Sequence, residues 1–217
     1  MLPPPRSPLA TARCPLPPMT MPADTSAPAS DTRGLLAPGP LLLAGMIVLA
    51  ALSRLLPHPQ NFSPVEAIGL FGGAFFARRS LALAVPLLAM FASDLLLGVI
   101  GGGIYWSYVA SLSFWSVYAA IALCTLLGFA LRGRAGGARV LGAALAGSVL
   151  FFVVTNFFAW YGSAMYPQTG AGLVAAYVAG IPFFQNTLLG TLFYSALLFG
   201  GFALLRTRVP ALRAQTV

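Results

Sequence analysis

From residue 38 onward the chain reads as long apolar runs separated by short polar breaks. Crossing roughly 30 Å of hydrocarbon takes about 20 helical residues, at about 1.5 Å of rise each. The runs at residues 40–56, 64–77, 80–100, 108–131 and 140–161 predict one helix each. The apolar tract at 173–205 is longer than one span needs and is interrupted by Gly180 and Pro182, so it predicts a short surface or re-entrant helix followed by a sixth span. The run at 64–77 covers only about 20 Å, short of the bilayer core. The loop at 57–63 is therefore expected to descend below the outer surface, where irregular backbone persists only against protein or a wet cavity. The fold class expected is an all-α integral membrane protein: a bundle of six transmembrane helices, a short extra helix before the last span, and both termini cytoplasmic.

The polar pattern divides the chain further. Residues 1–37 are rich in Pro, Ala, Ser and Thr and are expected to form a disordered tail. Residues 38–206 form the membrane domain, and 207–217 a short cytoplasmic tail. The first segment lacks the apolar core that a signal peptide carries after its basic residues. Met19 and Met21 are alternative starts to Met1, and the small residues Ala50 and Ala51 before Ser53 leave cleavage after the first apolar segment open.

Composition agrees with this pattern: 59% of residues are hydrophobic, 7% are charged, and mean hydropathy is +0.87. A soluble domain needs a more polar surface. The formal net charge of +8 comes from 12 basic residues, all arginine, scattered between apolar runs. That distribution fits the positive-inside rule and not a nucleic-acid face, so no nucleic-acid partner is expected. Arg78 and Arg79, then Arg132, Arg134 and Arg139, then Arg206, Arg208 and Arg213 fall in alternate connections, with Arg6, Arg13 and Arg33 ahead of the first span. These positions assign that side to the cytoplasm. The opposite connections carry Tyr105, Trp106, Tyr108, Trp160, Tyr161 and Tyr166, an aromatic belt on the outer face. The expected location is the inner (cytoplasmic) membrane, multi-pass. Cys14 lies in the tail and Cys124 in an apolar helix, so neither a disulfide nor a metal site is expected.

Polar residues inside or beside the spans need a reason, because an ionisable group at the bilayer centre costs about 2.5 kcal/mol or more. Arg54, His58, Asn61, Asp94, Asn156, Gln185 and Asn186 all map to the outer half of the bundle. Arg54 lies close enough to water to snorkel. His58 stands between two prolines and reads as a loop residue or a proton relay. Asn156 can bridge helices. Glu66, three residues after Ser63 with Pro64 between them, reads as the second member of a capping box. Asp94 lies about 20 Å into its span and must pair, protonate or meet a cavity. Gly69, Gly73 and Ala77 recur every four residues and predict a close helix-packing face, internal or toward a partner subunit. Gly142 with Ala146, and Ala143 with Gly147, repeat the motif in the fifth span. Phosphate-binding loops, paired catalytic carboxylates and a nucleophile beside a base are absent, so neither enzymatic activity nor a cofactor is expected.

The segments RLLPHPQNFSPVEAIGLFGGAFF, FASDLLLG, FFVVTNFFAW and YPQTGAGLVAAYVAGIPFFQNTLLGTLFYSALLFGG, in this order across residues 48–205, resemble a family of uncharacterised bacterial six-span membrane proteins. Arg54, His58, Asn61, Asp94, Asn156, Tyr166 and Asn186 match its motif positions. The chain departs from the pattern at Thr191, where the family carries an acidic residue, and at Gly101 to Gly103, where it carries a histidine. More remotely, the six-span plan is similar in architecture to the substrate-capture components of energy-coupling-factor vitamin transporters. Together these readings predict a small-solute-binding or transport component, with a pocket in the outer half of the bundle. Arg54, His58, Asn61, Asp94, Asn156, Gln185 and Asn186 would supply polar contacts, and Trp160 and Tyr166 apolar walls. Beyond the lipid bilayer, the expected partners are a small-molecule ligand and energising subunits, since the chain has no nucleotide-binding motif. A structural or assembly protein without a ligand is the alternative, and an intramembrane enzyme the third reading.

Overall fold

The computed structural model describes residues 37–209, and their regular structure is all helical, with no strand among them. The tail at 1–36, with Cys14, Arg6, Arg13 and Arg33, and the segment at 210–217, with Arg213, lie outside the described residues. Helix α1 (Pro38–Leu52) opens with proline in its first turn, where a missing N–H is harmless. It tightens into a 3-10 turn at Ser53–Leu55 and stops at Leu56, whose ψ of 151° is the extended conformation that a following proline imposes.

Helix α2 (Val65–Phe75) is the axis of the bundle. All 11 of its residues are buried, so its largely apolar sequence never meets lipid. Gly69 and Gly73 lie against α5 (Leu112–Phe129), where an added Cβ on Gly69 would come 2.9 Å from the Ile121 carbonyl, and one on Gly73 would collide with the Thr125 carbonyl and with Gly128. Gly72 faces Ala82 and Pro86 of α3 (Arg79–Gly101) in the same way. Phe71 and Phe75 pack edge-on or tilted against Phe199 and Phe202 from the last helical stretch, with centroids 4.6–5.7 Å apart. The small face predicted at Gly69 and Gly73 is thus spent on internal packing. Ala77 does not belong to it: the helix ends at Phe75, and Ala77 is exposed beyond the C-cap.

The C-terminus of α2 is closed from a distance. Arg132 donates from Nε to the Gly73 carbonyl at 3.0 Å, and from Nη2 to the Phe76 carbonyl at 2.7 Å, satisfying carbonyls that the helix itself leaves open. Its guanidinium lies 4.5 Å from the Phe129 ring centroid, with Arg79 at 5.8 Å from the same ring, while Arg206 covers Phe75 and Phe202. The arginines of three connections therefore gather at one end of the bundle.

Among the described residues, five helices around this axis are long and apolar enough to cross a membrane, and they fit a multi-pass membrane protein. Their outward faces carry Leu49, Leu88, Val99, Leu126, Leu141, Val149, Val178 and Leu189, all exposed. The sequence expectations need four corrections. The run at 64–77 is a helix of 11 residues, about 16 Å long, and not a full span. The fourth span begins at Leu112 and not near Tyr108, because Gly102, with φ at 64°, turns the chain into a separate short helix α4 (Gly103–Val109). Ser111 then caps α5 by accepting from the Phe114 N–H at 3.2 Å. The break expected at Gly180 and Pro182 is absent: α7 (Gly170–Ser195) runs through both, since a membrane helix tolerates the lost hydrogen bond where neighbouring helices support it. There is no separate short helix before the last span. The irregularity comes later, as a π-helical segment at Ala196–Gly200 leading into α8 (Gly201–Arg208), and the whole stretch is 39 residues long. Finally, α6 (Gly137–Trp160) turns Ala143 and Gly147 inward but leaves Gly142 facing outward, with no neighbour within 4 Å of the point where a Cβ would stand.

Candidate functional site

Two polar assemblies occupy the half of the bundle opposite the arginines. The first is built on Asp94, whose position in the fifth turn of α3 brings it level with the 3-10 turn after α1. Arg54 Nη1 donates to Asp94 Oδ1 at 2.6 Å and to Ser93 Oγ at 2.8 Å. The Tyr105 hydroxyl of α4 donates to the same carboxylate oxygen at 2.7 Å, and the Tyr118 hydroxyl of α5 to Oδ2 at 2.5 Å. Asp94 is only 4% exposed. Both its oxygens are engaged, which is what a buried carboxylate requires. Burial, and then the carboxylate it bonds, push the Tyr105 phenol above its ordinary value, so it is held as a donor. The assembly ties together four elements: the turn after α1, α3, α4 and α5.

The second assembly is a cleft of about 210 Å³ between α5, α6 and α7. Asn61 and Tyr108 stand at its edge, one from the 57–63 loop and one from α4, and Phe151, Phe152, Phe183 and Phe184 give it aromatic walls. Its polar groups are largely committed in one direction. Ser113 donates to the Phe158 carbonyl, Thr155 to Phe151 and Thr187 to Phe183, so each hydroxyl offers the cleft a lone pair. Asn156 Nδ2 donates to the Phe152 carbonyl at 2.8 Å, and its Oδ1 lies directly against the Cα of Gly180, where any side chain would collide with it. Tyr108 joins the two assemblies: its ring lies 6.1 Å from Tyr105 and 5.5 Å from Phe114, which in turn packs 5.1 Å from Tyr118.

Of the residues selected from sequence, the cleft brings together Asn61 and Asn156, while Arg54 and Asp94 form the neighbouring assembly. His58 is exposed, its ring nitrogen Nδ1 2.6 Å from the Leu56 carbonyl. Gln185 is exposed, and Asn186 donates to the Gln60 carbonyl at 2.9 Å, pinning the 57–63 loop onto α7. Phe62 adds contacts with Phe193 and Tyr194, and Gly190 leaves room for the Ser63 backbone. Trp160 Nε1 donates to the Pro167 carbonyl at 2.8 Å, ordering the connection that carries Tyr166, and neither ring lines the cleft.

Sequence reasoning missed Tyr105, Tyr118, Ser113, Thr155 and Thr187. A signal existed for the last: Thr187, Thr191 and Ser195 recur every four residues in a helix that is otherwise apolar. Glu66 needs outright correction. Pro64 is the N-cap of α2 and no side chain caps it; Glu66 points into the bundle instead, 1% exposed, because α2 lies wholly inside rather than at a lipid or water boundary.

No curated protein and no solved structure matches the chain. Residues 36–212 match the family of unknown function DUF6580, and the chain belongs to that family.

Proposed function

We propose that this member of DUF6580 is a membrane protein that captures a small, uncharged solute in the cleft between α5, α6 and α7 and acts as the binding component of a transporter. The observation that carries the reading is the lining of that cleft: lone pairs from Ser113, Thr155 and Thr187, an amide at Asn156, and four phenylalanine rings. Such a lining suits a compact, partly aromatic or flat apolar molecule that carries N–H or O–H donors. At about 210 Å³ the space is smaller than the roughly 300–1,000 Å³ of drug-sized sites, which favours a ligand of vitamin-precursor size or below. The arginine-bearing end faces the cytoplasm in this reading, the cleft opens toward the outer face, and α2 with its preceding loop completes a sixth crossing that leaves both termini inside. Energy comes from partner subunits, as the architectural similarity to vitamin-capture components suggests.

Purification in lipid nanodiscs, followed by mass spectrometry of co-purifying small molecules, tests this. The expected outcome is a stoichiometric neutral compound that Asn156→Ala loses while its thermal melting stays near that of the parent. Retention of the compound by Asn156→Ala, or no compound at all, would sink the proposal. A second reading, that the polar residues only lock helices together, draws on the fully satisfied Arg54–Asp94 assembly. It is favoured if Asn156→Ala lowers melting and nothing co-purifies.

A further inference from the structure

Among the described residues, neither the cleft nor the Asp94 assembly uses the buried carboxyl of Glu66. Glu66 lies at the centre of the bundle on α2, and its Oε2 has no hydrogen-bond partner. Its own backbone N–H and, from α7, Thr191 adjoin the carboxyl as hydrogen-bonding neighbours. From α6, Gly147 packs beside the Glu66 Cβ, and from α5 comes the buried Cys124, a titratable group that shares its surroundings. The residues that α1 and α3 bury include Leu43 and Ile47 from one and Ala82 and Met90 from the other, and the one acidic group on α3, Asp94, is paired with Arg54. Thr191 gives its hydroxyl hydrogen to the Thr187 carbonyl at 2.8 Å, and in that rotamer its oxygen can accept from the O–H of a protonated Glu66. A charged carboxylate with no counter-ion in an apolar interior is strongly disfavoured.

The carboxyl is also placed between two spaces. Thr187, one turn before Thr191 on the same face of α7, lines the solute cleft. Ser195, one turn after it, lines a second cavity of about 430 Å³ between α6 and the π-helical segment, walled by Val140, Leu141, Leu192 and Phe199. The buried Ser195 hydroxyl likewise has no hydrogen-bond partner. Neighbours four apart on a helix have Cβ atoms about 5–6 Å apart, a gap that one water molecule bridges. Hydroxyls at 187, 191 and 195 thus mark a line from one cavity to the other, with Glu66 beside its midpoint.

We infer that Glu66 is a proton-exchanging site, holding a proton at the centre of the bundle and trading it with water in the two flanking cavities along the Thr187–Thr191–Ser195 face. In the step itself the carboxyl O–H bond breaks, the proton passes to water in one cavity, the electron pair stays on the carboxylate, and a proton from either cavity restores the acid. The inference stands whether or not the outer cleft takes a solute.

Glu66 is the only glutamate in the sequence, which makes the test unambiguous without a mutation. The full chain, made with glutamate carrying carbon-13 at its side-chain carboxyl and placed in nanodiscs, is studied by infrared difference spectroscopy at neutral pH. The expected result is an isotope-shifted band of a protonated carboxyl that moves on transfer to deuterium oxide while the protein stays folded. With Thr191→Val the exchange should slow about tenfold, as expected for losing one hydrogen-bonding partner along the route. An isotope-shifted carboxylate band instead, or an acid band that never exchanges in the folded protein, overturns the inference. Exchange at an unchanged rate in Thr191→Val overturns the route.

Discussion

Asp94 illustrates what a charged residue inside a bilayer demands of its neighbours. Removing one member of a buried ion pair leaves the other uncompensated, so Asp94→Ala should destabilise the folded protein by about 3 kcal/mol, read as a fall in melting temperature in nanodiscs. Tyr118→Phe removes one hydrogen bond to that carboxylate and should cost about 1–2 kcal/mol; no shift in melting would show that the contact contributes nothing. The Tyr105 phenol adds a sign. Its value in the folded state is raised, so its contribution is complete below the unfolded phenol's value of about 10 and is lost only as pH climbs through the higher, folded-state value. Stability should therefore stay flat through neutral pH with respect to this residue and fall in strong alkali, and Tyr105→Phe should make that alkaline fall smaller. Depth alone singles out Asp94 and Arg54, because polar residues are rare in the sequence. Their partners are not legible in the same way: a tyrosine in an apolar helix reads as bulk hydrophobe until the fold shows where its hydroxyl lies.

Helix α2 shows the opposite relation between sequence and structure. Its glycines announce a close-packing face, and Gly69 and Gly73 do meet α5 at backbone contact. Its burial on every side is not announced, since a short apolar run looks the same facing lipid or protein. Glu66 misleads for that reason: the S-x-x-E spacing is a local signal, and the tertiary environment overrides it. The glycine positions separate cleanly by experiment. Gly73→Leu would force a side chain into the Thr125 carbonyl and Gly128, and should leave no folded monomer by size-exclusion chromatography. Gly142→Ala has open space and removes a flexible residue from a helix, so melting should hold or rise by up to about 1 kcal/mol of added stability. Collapse of the Gly142 variant, or tolerance of the Gly73 variant, would contradict the packing described.

Across the whole molecule, the order and approximate limits of the long helices are legible from hydropathy alone, because a membrane imposes a minimum apolar length on each. What hydropathy does not show is how one long stretch divides. Gly180 and Pro182 are strong local breakers, yet α7 continues through them, and irregular hydrogen bonding appears only well beyond Pro182, beginning at Ala196. The division of the molecule into an arginine end and an aromatic end carries its own prediction. In a variant lacking Cys14 and Cys124, a membrane-impermeant thiol reagent should label Met165→Cys on intact cells and Gly136→Cys only after permeabilisation. The reverse pattern would invert the proposed orientation.

The contact between Asn156 and Gly180 has a mechanical consequence. With only a bare Cα between the amide oxygen and the backbone of α7, there is no side chain to absorb a small displacement. A push on the Asn156 amide is delivered straight to the main chain of α7, close to Pro182, where the helix lacks one of its own restraining hydrogen bonds. Farther along the same helix, Asn186 holds the 57–63 loop through the Gln60 carbonyl. Cleft wall, helix and loop thus form one continuous line of contact, from the Asn156 amide through the main chain of α7 to the Gln60 carbonyl.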